Sequence, residues 1–201
     1  MSNTVPPIIE KIPKMRMDAM MRLWRNAVEI RSDEKKRSQW RSAAHVLDAI
    51  NKEWIRRRRQ PPNPDDFFKW PSTEAEPGRR SKIDVDDWIQ EGVLRYMGYQ
   101  VGSTAGVSSN LRRRILEQIF EGVLPPVFPP NYLDQWGDPK SAARLQKMAE
   151  ALAAFTRNAK RKRSDSLWGA IRDWEGDLKF LYEQYFIGHF YFAWPDTTLG
   201  H

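Results

Sequence analysis

The amino-acid sequence predicts an all-α fold, and three observations support this prediction. Apolar residues recur at three- and four-residue steps through most of the chain, which is the period of an amphipathic helix. Residues that favour helix caps and helix ends separate these stretches. The only candidate strands are two short aromatic runs, at 67–70 and 186–194. We therefore expect two helical hairpins flanking a central helix pair, with Pro-rich extended straps.

The first predicted unit is an N-terminal helical hairpin over residues 14–59, and a flexible tail over residues 1–13 precedes it. The apolar faces of its two helices are Met17, Met20, Met21, Trp24 and Val28, and then Trp40, Ala43, Leu47, Ile50 and Trp54. The turn between them contains Ser32 and Asp33, which are favoured N-cap residues. The second helix ends in a run of arginines, where the helix dipole favours cations, before prolines stop it.

A central helix pair is predicted after a Pro-rich basic linker over residues 60–82. Asp84 or a neighbour caps its first helix, and Gly98 suits the left-handed position that ends this helix. Ser108 or the adjacent Ser109 caps the second helix. The pair belongs to a helical core that extends over residues 83–187.

The C-terminal hairpin completes this core. An extended strap over residues 123–130 contains four prolines, and Asp138-Pro139 then predicts the start of a helix, because Pro suits the first helical position. The last helix begins at about Ser166 and has the apolar face Trp168, Ile171, Trp174, Leu178 and Leu181. Residues 188–201 form an aromatic tail, for which a short strand and a packed segment are both open.

A nine-residue frame occurs twice in the chain. Arg25-Asn26-Ala27 followed by Arg31-Ser32-Asp33 recurs at the same spacing as Arg157-Asn158-Ala159 followed by Arg163-Ser164-Asp165. An Ala-Ile pair and a Trp follow each copy, as Ala49, Ile50 and Trp54 and as Ala170, Ile171 and Trp174. We interpret each copy as a helix end and a polar turn, in which the Ser or the Asp caps a second helix.

The chain is basic, with a net charge of +7 and a pI near 9.7, which favours partners that carry phosphate or clustered carboxylates. Basic clusters supply the candidate nucleic-acid-binding residues, which are Arg56, Arg57, Arg58, Arg59, Arg79, Arg80, Arg112, Arg113, Arg114, Arg157, Lys160, Arg161, Lys162 and Arg163. We hypothesise a non-enzymatic protein that contacts DNA or RNA mainly through backbone phosphates, with little sequence readout. The alternative is a helical adaptor whose apolar and aromatic surfaces bind a larger, acidic protein. The two differ in whether the basic clusters share one face.

Enzymatic and membrane functions have little support in the residues. The chain has no Cys, no apolar run long enough to span a membrane and no signal-peptide pattern, so we expect a cytoplasmic protein without disulfides. His45, His189 and His201 give no catalytic or ligand spacing. We predict no cofactor, and a metal-dependent nuclease remains a third hypothesis.

The carboxylates give no convincing metal site. Asp84, Asp86 and Asp87 lie where the helix dipole favours acid, so their clustering needs no metal to explain it. Glu175 and Asp177 are two residues apart and diverge on a helix. We therefore predict no metal ligand.

Several strings of residues together resemble an uncharacterised family of short, helical bacterial proteins. They are Leu23-Trp24-Arg25-Asn26-Ala27, Gly98-Tyr99-Gln100-Val101-Gly102, Trp136-Gly137-Asp138-Pro139, Arg144-Leu145-x-Lys147-Met148-Ala149 and Trp174-Glu175-x-Asp177-Leu178. The resemblance implies a bacterial, cytoplasmic setting and accessory work for a mobile element or a defence system. It carries over no catalytic or binding residue.

Overall fold

The computed structural model describes residues 6–60 and 92–199 of the 201-residue chain. The predicted linker, the aromatic run 67–70, the acidic helix start at residues 84–87 and two candidate residues, Arg79 and Arg80, lie outside the described residues. Within them, the all-α prediction is confirmed, because they form helices and no strand. None of the helices described is long and apolar enough to cross a membrane.

Seven α-helices follow one another in the described residues. They are α1 (Met17–Ser32), α2 (Trp40–Arg58), α3 (Val93–Tyr96), α4 (Ser109–Glu121), α5 (Pro130–Asp134), α6 (Ala142–Lys162) and α7 (Trp168–Leu181). Short 3-10 helices cover Pro7–Lys14, Glu34–Gln39 and Asp165–Leu167, and a π-helical turn covers Tyr182–Phe186.

Two helical pairs pack on either side of α4. Helix α1 packs along α2 and α6 packs along α7, while α4 contacts α1, α6 and α7. The apolar stripes predicted for the first pair meet in its core, where the rings of Trp24 and Trp54 stack with centroids 6.4 Å apart. Both indoles are fully buried. The second pair closes over Leu145, Met148 and Leu152 of α6.

The packing directions define two ends of the molecule. At the first, which we call the turn end, the α1–α2 turn lies beside the start of α4, and Gly102 lies beside Ala170 near the start of α7. At the second, which we call the strap end, Asn51 of α2 lies beside Gly122, the residue that ends α4. The strap 123–130, the end of α2 and the start of α6 also lie there. Helix α4 has 13 residues, so the two ends are about 20 Å apart.

Two of the predicted helix boundaries are confirmed by hydrogen bonds. The Ser108 side chain accepts from the backbone N–H of Leu111 and caps α4, as expected. Gly98 has φ of +93°, and the N–H groups of Gly98 and Tyr99 bond the carbonyls of Arg95 and Leu94. This is the Schellman arrangement, which requires a left-handed residue after the helix.

The start of α6 was predicted wrongly. The helix begins at Ala142, and the Ser141 side chain caps it by accepting from the Arg144 N–H at 3.1 Å. The dipeptide Asp138-Pro139 lies instead in the preceding turn, where the Asp138 carbonyl accepts from the Ser141 hydroxyl. Because Lys140 adopts a left-handed φ of +60°, the helix cannot extend back to Pro139.

The N-terminal segment also differs from the sequence expectation. A flexible tail was expected over residues 1–13, but Pro7–Lys14 forms a 3-10 helix that packs on α2. Ile12 is fully buried there, and Ile8 and Ile9 pack against the same core. These three isoleucines form an apolar face, whose burial outweighs the tendency of the neighbouring prolines to leave the chain extended.

The two copies of the repeated frame have the predicted helix-to-turn form. Each begins in the last turns of a helix and ends before a 3-10 helix, after which α2 begins at Trp40 and α7 begins at Trp168. In the first copy Asp33 caps the 3-10 helix by accepting from the N–H of Lys35. In the second copy the capping prediction was wrong, since the Ser164 hydroxyl contacts Ser166 instead.

Each copy is also followed by a tryptophan at the start of the next α-helix, seven residues after Asp33 in the first copy and three residues after Asp165 in the second. The indole N–H of Trp40 donates to the Asp33 carbonyl, and that of Trp168 donates to the Asp165 carboxylate, both at 3.1 Å. Trp168 was predicted on the apolar face, but 65% of it is exposed. Its indole lies on the solvent side, beside the polar turn that contains Asp165.

Candidate nucleic-acid interface

The described basic clusters do not share one face. Arg56–Arg59 lie at the strap end, since they end α2, whereas Arg157–Arg163 end α6 at the turn end. The third cluster, Arg112–Arg114, is in the first turns of α4 between the two helical pairs. The three groups therefore do not form one continuous surface.

At the strap end, the C-terminus of α2 is tied to the segment that enters α1. The guanidinium of Arg57 donates to the carbonyl of Met15 at 2.6 Å. Arg56 and Arg57 both bond the buried carboxylate of Glu53 at 2.7 Å. The Arg56 hydrogen bond lowers the pKa of Glu53 against the opposing effect of burial, so this carboxylate stays ionised and consumes charge from both arginines.

Five cations at this end reach solvent, including Arg56, which also bonds Glu53, and we call Lys14, Arg16, Arg56, Arg58 and Arg59 the basic end surface. Arg16 is almost fully exposed and pairs with Asp18 at 3.5 Å, while Arg58 lies 3.9 Å from Asp134. Lys14 and Arg59 have no ion pair within the described residues. Because these pairs are exposed and long, they leave the surface available to an external anion.

At the turn end, two cations of α6 bind the C-terminal segment of the chain. Arg157 donates to the carbonyl of Asp196, and Lys160 donates to that of Thr197 at 3.0 Å. Lys160 also pairs with Glu175 of α7 at 2.6 Å. The segment after α7 is thus held along the second pair by cations that were predicted to bind a nucleic acid.

The last residues of α6 are more exposed. Arg161 donates to the side chain of Asn158 at 3.0 Å, and Lys162 is exposed. Arg163 has a left-handed backbone with φ of +50° and no ion pair to the described residues. Arg161 and Arg163 are therefore the cations of this cluster that face solvent without a carboxylate partner among the described residues.

In the central cluster, Arg112 is buried and all of its nitrogens are used. Its Nε donates to Asp177 at 2.7 Å, and its two terminal nitrogens donate to Asp173 at 3.0 Å and to the Val107 carbonyl at 2.9 Å. Only 6% of Arg112 and 1% of Asp177 are exposed. This arginine joins α4 to α7, and its contacts leave no group free for a ligand.

Tyr99 completes this buried charge cluster. Its hydroxyl donates to Asp177 at 2.7 Å, and the backbone N–H of Gly102 donates to Asp173 at 3.0 Å. Burial raises the pKa of Asp177, which the hydrogen bonds from Tyr99 and Arg112 oppose. Burial, with the neighbouring Asp177 charge, also raises the pKa of Tyr99 well above its usual range, so its hydroxyl stays a donor. The cluster fixes the loop after α3 against α4 and α7.

The neighbours of Arg112 have different roles. The guanidinium of Arg113 lies 5.3 Å from the ring centre of Phe180, and Arg114 pairs with Glu117 one turn later. Arg112 lies three residues before the buried Ile115 and four before the buried Leu116, so it is on the buried face of α4. Arg113 and Arg114 are on other faces of the same helix. This helical phase is a signal in the sequence that distinguishes Arg112 from its two neighbours.

A second buried arginine was not among the candidate residues of the sequence. Arg144 is fully buried and donates to the carbonyls of Trp136, Gly137, Ile119 and Gly122. Burial, with the nearby Arg58 charge, lowers its pKa to about 10, and the Asp138 carboxylate opposes this shift. It satisfies carbonyls at the end of α4, and it too falls on the apolar phase of its helix.

Metal-ligating geometry was not expected, and Glu175 and Asp177 diverge as predicted, toward Lys160 and Arg112. Within residues 6–60 and 92–199 no group of three or more His, Asp or Glu side chains is arranged to hold a metal ion. His45 is half-buried and His189 is exposed.

Comparison of the chain with protein-family models, with curated proteins and with solved structures finds no match.

Proposed function

We propose that this protein binds nucleic acid, chiefly through contacts between the basic end surface and backbone phosphates. The observation that carries the proposal is the convergence of two chain segments, Lys14–Arg16 and Arg56–Arg59, through the Arg57–Met15 hydrogen bond. Their cations reach solvent, and the carboxylates beside them are the buried Glu53 and the exposed Asp18 and Asp134, whose pairs with Arg16 and Arg58 are 3.5 and 3.9 Å long. Arg and Lys in such an arrangement neutralise phosphates and release counterions, which needs no base-specific contact.

The other described clusters contribute less to this surface. Arg112 is consumed by Asp173 and Asp177, and Arg157 and Lys160 hold the C-terminal segment. Arg161 and Arg163 face solvent beyond the turn end, about 30 Å from the strap end, because α6 starts at the strap end and has 21 residues. A strand that binds the basic end surface would reach them only if it followed the long axis of the molecule.

The test is charge reversal at the strap end with a matched control at the turn end. Arg58→Glu with Arg59→Glu changes the charge by four units, as does the control Lys35→Glu with Arg41→Glu. Lys35 and Arg41 are exposed and form no ion pair within the described residues. Binding of labelled 20-nucleotide DNA and RNA, single- and double-stranded, is followed by fluorescence anisotropy between about 50 and 200 mM salt.

We expect the strap-end variant to lose affinity for unrelated sequences to a similar degree. Its plot of log affinity against log salt should become shallower by roughly one unit for each phosphate that the variant no longer neutralises. The control should keep most of its affinity and its slope. Equal behaviour of the two variants, or no binding by the unmodified protein, would contradict the proposal.

A second candidate function is that of an adaptor, which the segment after α7 favours. Tyr191 is 97% exposed and Ile187 is 55% exposed, while the rings of Phe186, Phe192 and Trp194 pack on one another beside them. Exposed apolar groups that border an ordered aromatic cluster are typical of a protein-binding surface. In that case Ile187→Ser with Tyr191→Ser should abolish binding of a protein partner and leave nucleic-acid affinity unchanged.

A further inference from the structure

A cavity of about 200 Å³ lies between the loop after α3 and the second helical pair. Its walls combine apolar and aromatic side chains with a few polar ones, and the lining residues are Leu94, Arg95, Tyr99, Gln100, Val101, Ala105, Phe155, Leu167, Ala170 and Trp174. The cavity is partly open to solvent, so a ligand could enter it without unfolding of the helices. Its residues are distinct from those of the basic end surface.

The wall of the cavity is held rigidly from behind. Tyr99 is fixed by its hydrogen bond to Asp177, and the Gly102 N–H bonds Asp173 on the same helix as Trp174. Gly102 has φ of +89°, a conformation that favours glycine, which lets the loop approach the backbone of Ala170 closely. A cavity supported in this way keeps its shape before a ligand arrives.

Two polar side chains of the lining are available to a ligand. The guanidinium of Arg95 is exposed and the amide of Gln100 is half-buried, and neither forms a hydrogen bond or an ion pair within the described residues. The indole N–H of Trp174 is fully buried without an acceptor among the described residues, so this residue offers a ligand its ring and not its N–H. An apolar cavity with a small number of polar groups is the usual form of a small-molecule site.

The size and the aromatic walls favour a flat, bicyclic ligand. An apolar cavity of about 150 Å³ accommodates benzene, so the larger volume here fits a fused two-ring system. The rings of Phe155 and Trp174 lie with centroids 5.9 Å apart and offer faces for stacking. Any nucleobase can stack on such rings, because every base has a π-face.

The polar groups narrow the chemistry further. A Gln amide offers a donor and an acceptor together, which is the pattern that pairs with the edge of adenine. A guanidinium that has no ion pair among the described residues suits a phosphate. Gln100 and Arg95 supply these two groups around one cavity, and Trp174 supplies an aromatic ring.

We propose that this cavity binds a purine nucleotide, with the ring against Trp174 and the phosphate at Arg95. The nucleotide can come free from solution or as an unstacked residue of a single strand. Only the strand-borne source rests on the proposed function, and the free source does not. Both sources present the same ring and the same phosphate.

The first experiment uses adenosine monophosphate, titrated by isothermal calorimetry into the full chain. We expect one saturable site and a loss of roughly 3- to 10-fold in affinity for Trp174→Phe, which leaves a smaller ring for the base to stack on. Trp168→Phe is the matched control, since that indole lies on the same helix outside the cavity. A melting curve for each variant shows that it is folded.

The phosphate contact is tested separately with Arg95→Ala. This variant should bind adenosine monophosphate more weakly and adenosine as well as before, whereas Arg172→Ala, which changes an exposed arginine outside the lining, should alter neither. The absence of saturable binding overturns the proposal. So does an equal loss in the cavity variants and their controls.

A second titration distinguishes the two sources by comparing oligo-dA with an abasic strand of equal length. Tighter binding of oligo-dA that depends on Trp174 indicates the strand-borne source. Equal binding of the two strands by a protein that still binds adenosine monophosphate at Trp174 indicates the free source. Strand binding that depends on Arg58 and Arg59 without any nucleotide site overturns this inference alone. A nucleotide site without such dependence overturns the proposed function alone.

Discussion

Replacement of Arg112 by Met tests the buried charge cluster most directly. The change removes the cation that Asp173 and Asp177 share and leaves the Asp177 charge in a site that is 1% exposed. Breaking a buried ion pair by removing one partner costs about 3–5 kcal/mol. For a chain of this size, each kcal/mol lowers the melting temperature by about 2–4 °C, so we expect a fall of about 6–20 °C.

The assay is thermal unfolding followed by circular dichroism at neutral pH, with Arg113→Met as the control. Arg113 is exposed and contacts the ring of Phe180, an interaction worth about 0.5–1 kcal/mol, so its removal should lower the melting temperature by less than about 4 °C. Adding Asp177→Asn to Arg112→Met removes the unpaired charge and keeps an acceptor for Tyr99, and should recover much of the stability. If Arg112→Met melts like Arg113→Met, the reasoning is refuted.

Three further predictions concern other regions. The pKa of Glu53 is lowered in the folded state, so the folded protein binds the carboxyl proton more weakly than the unfolded chain does. The ionised carboxylate therefore stabilises the fold above a pH near 4.5, and this contribution is lost as the pH falls through the lowered pKa. Denaturant titrations should therefore show a smaller acid loss of stability for Glu53→Gln than for the unmodified protein, and equal losses would contradict this. If a strand extends to the turn end, Arg161→Glu with Arg163→Glu should make the salt dependence of binding shallower by roughly one unit per phosphate released, and an unchanged slope would remove these residues from the interface. Trp174→Ala should cost about 3 kcal/mol in urea unfolding, since this indole is half-buried against Phe155, and a variant as stable as the unmodified protein would show that the ring has no packing role.

Local chemistry made several elements of the fold predictable. Ser108 and Gly98 act through hydrogen bonds to backbone groups within a few residues, so their positions in the sequence are sufficient to assign them. The error at Asp138-Pro139 is also a matter of a few residues, because Ser141, three residues after Asp138, offers a competing N-cap. Which cap is used depends on the turn that joins α5 to α6, and short-range patterns do not determine that turn.

The candidate interface was less predictable because charge does not report burial. Arg112 and Arg144 each lie on the apolar phase of a helix, so their burial could have been inferred from spacing. Their partners could not, since Asp177 is 65 positions from Arg112 along the chain. Equally, the position of the arginine clusters at opposite ends follows from how the two pairs pack on α4, which no single segment encodes.

The separation in sequence within the buried charge cluster has a kinetic consequence. Tyr99, Arg112 and Asp177 come from three segments, and the hydroxyl of Tyr99 is 78 positions from its acceptor. Closing chain loops of this length is entropically costly, whereas each helical pair can form from nearby segments. We therefore expect the pairs to assemble before the transition state and the cluster to form after it. Weakening the cluster would then shorten the lifetime of the folded protein while leaving its rate of folding nearly unchanged.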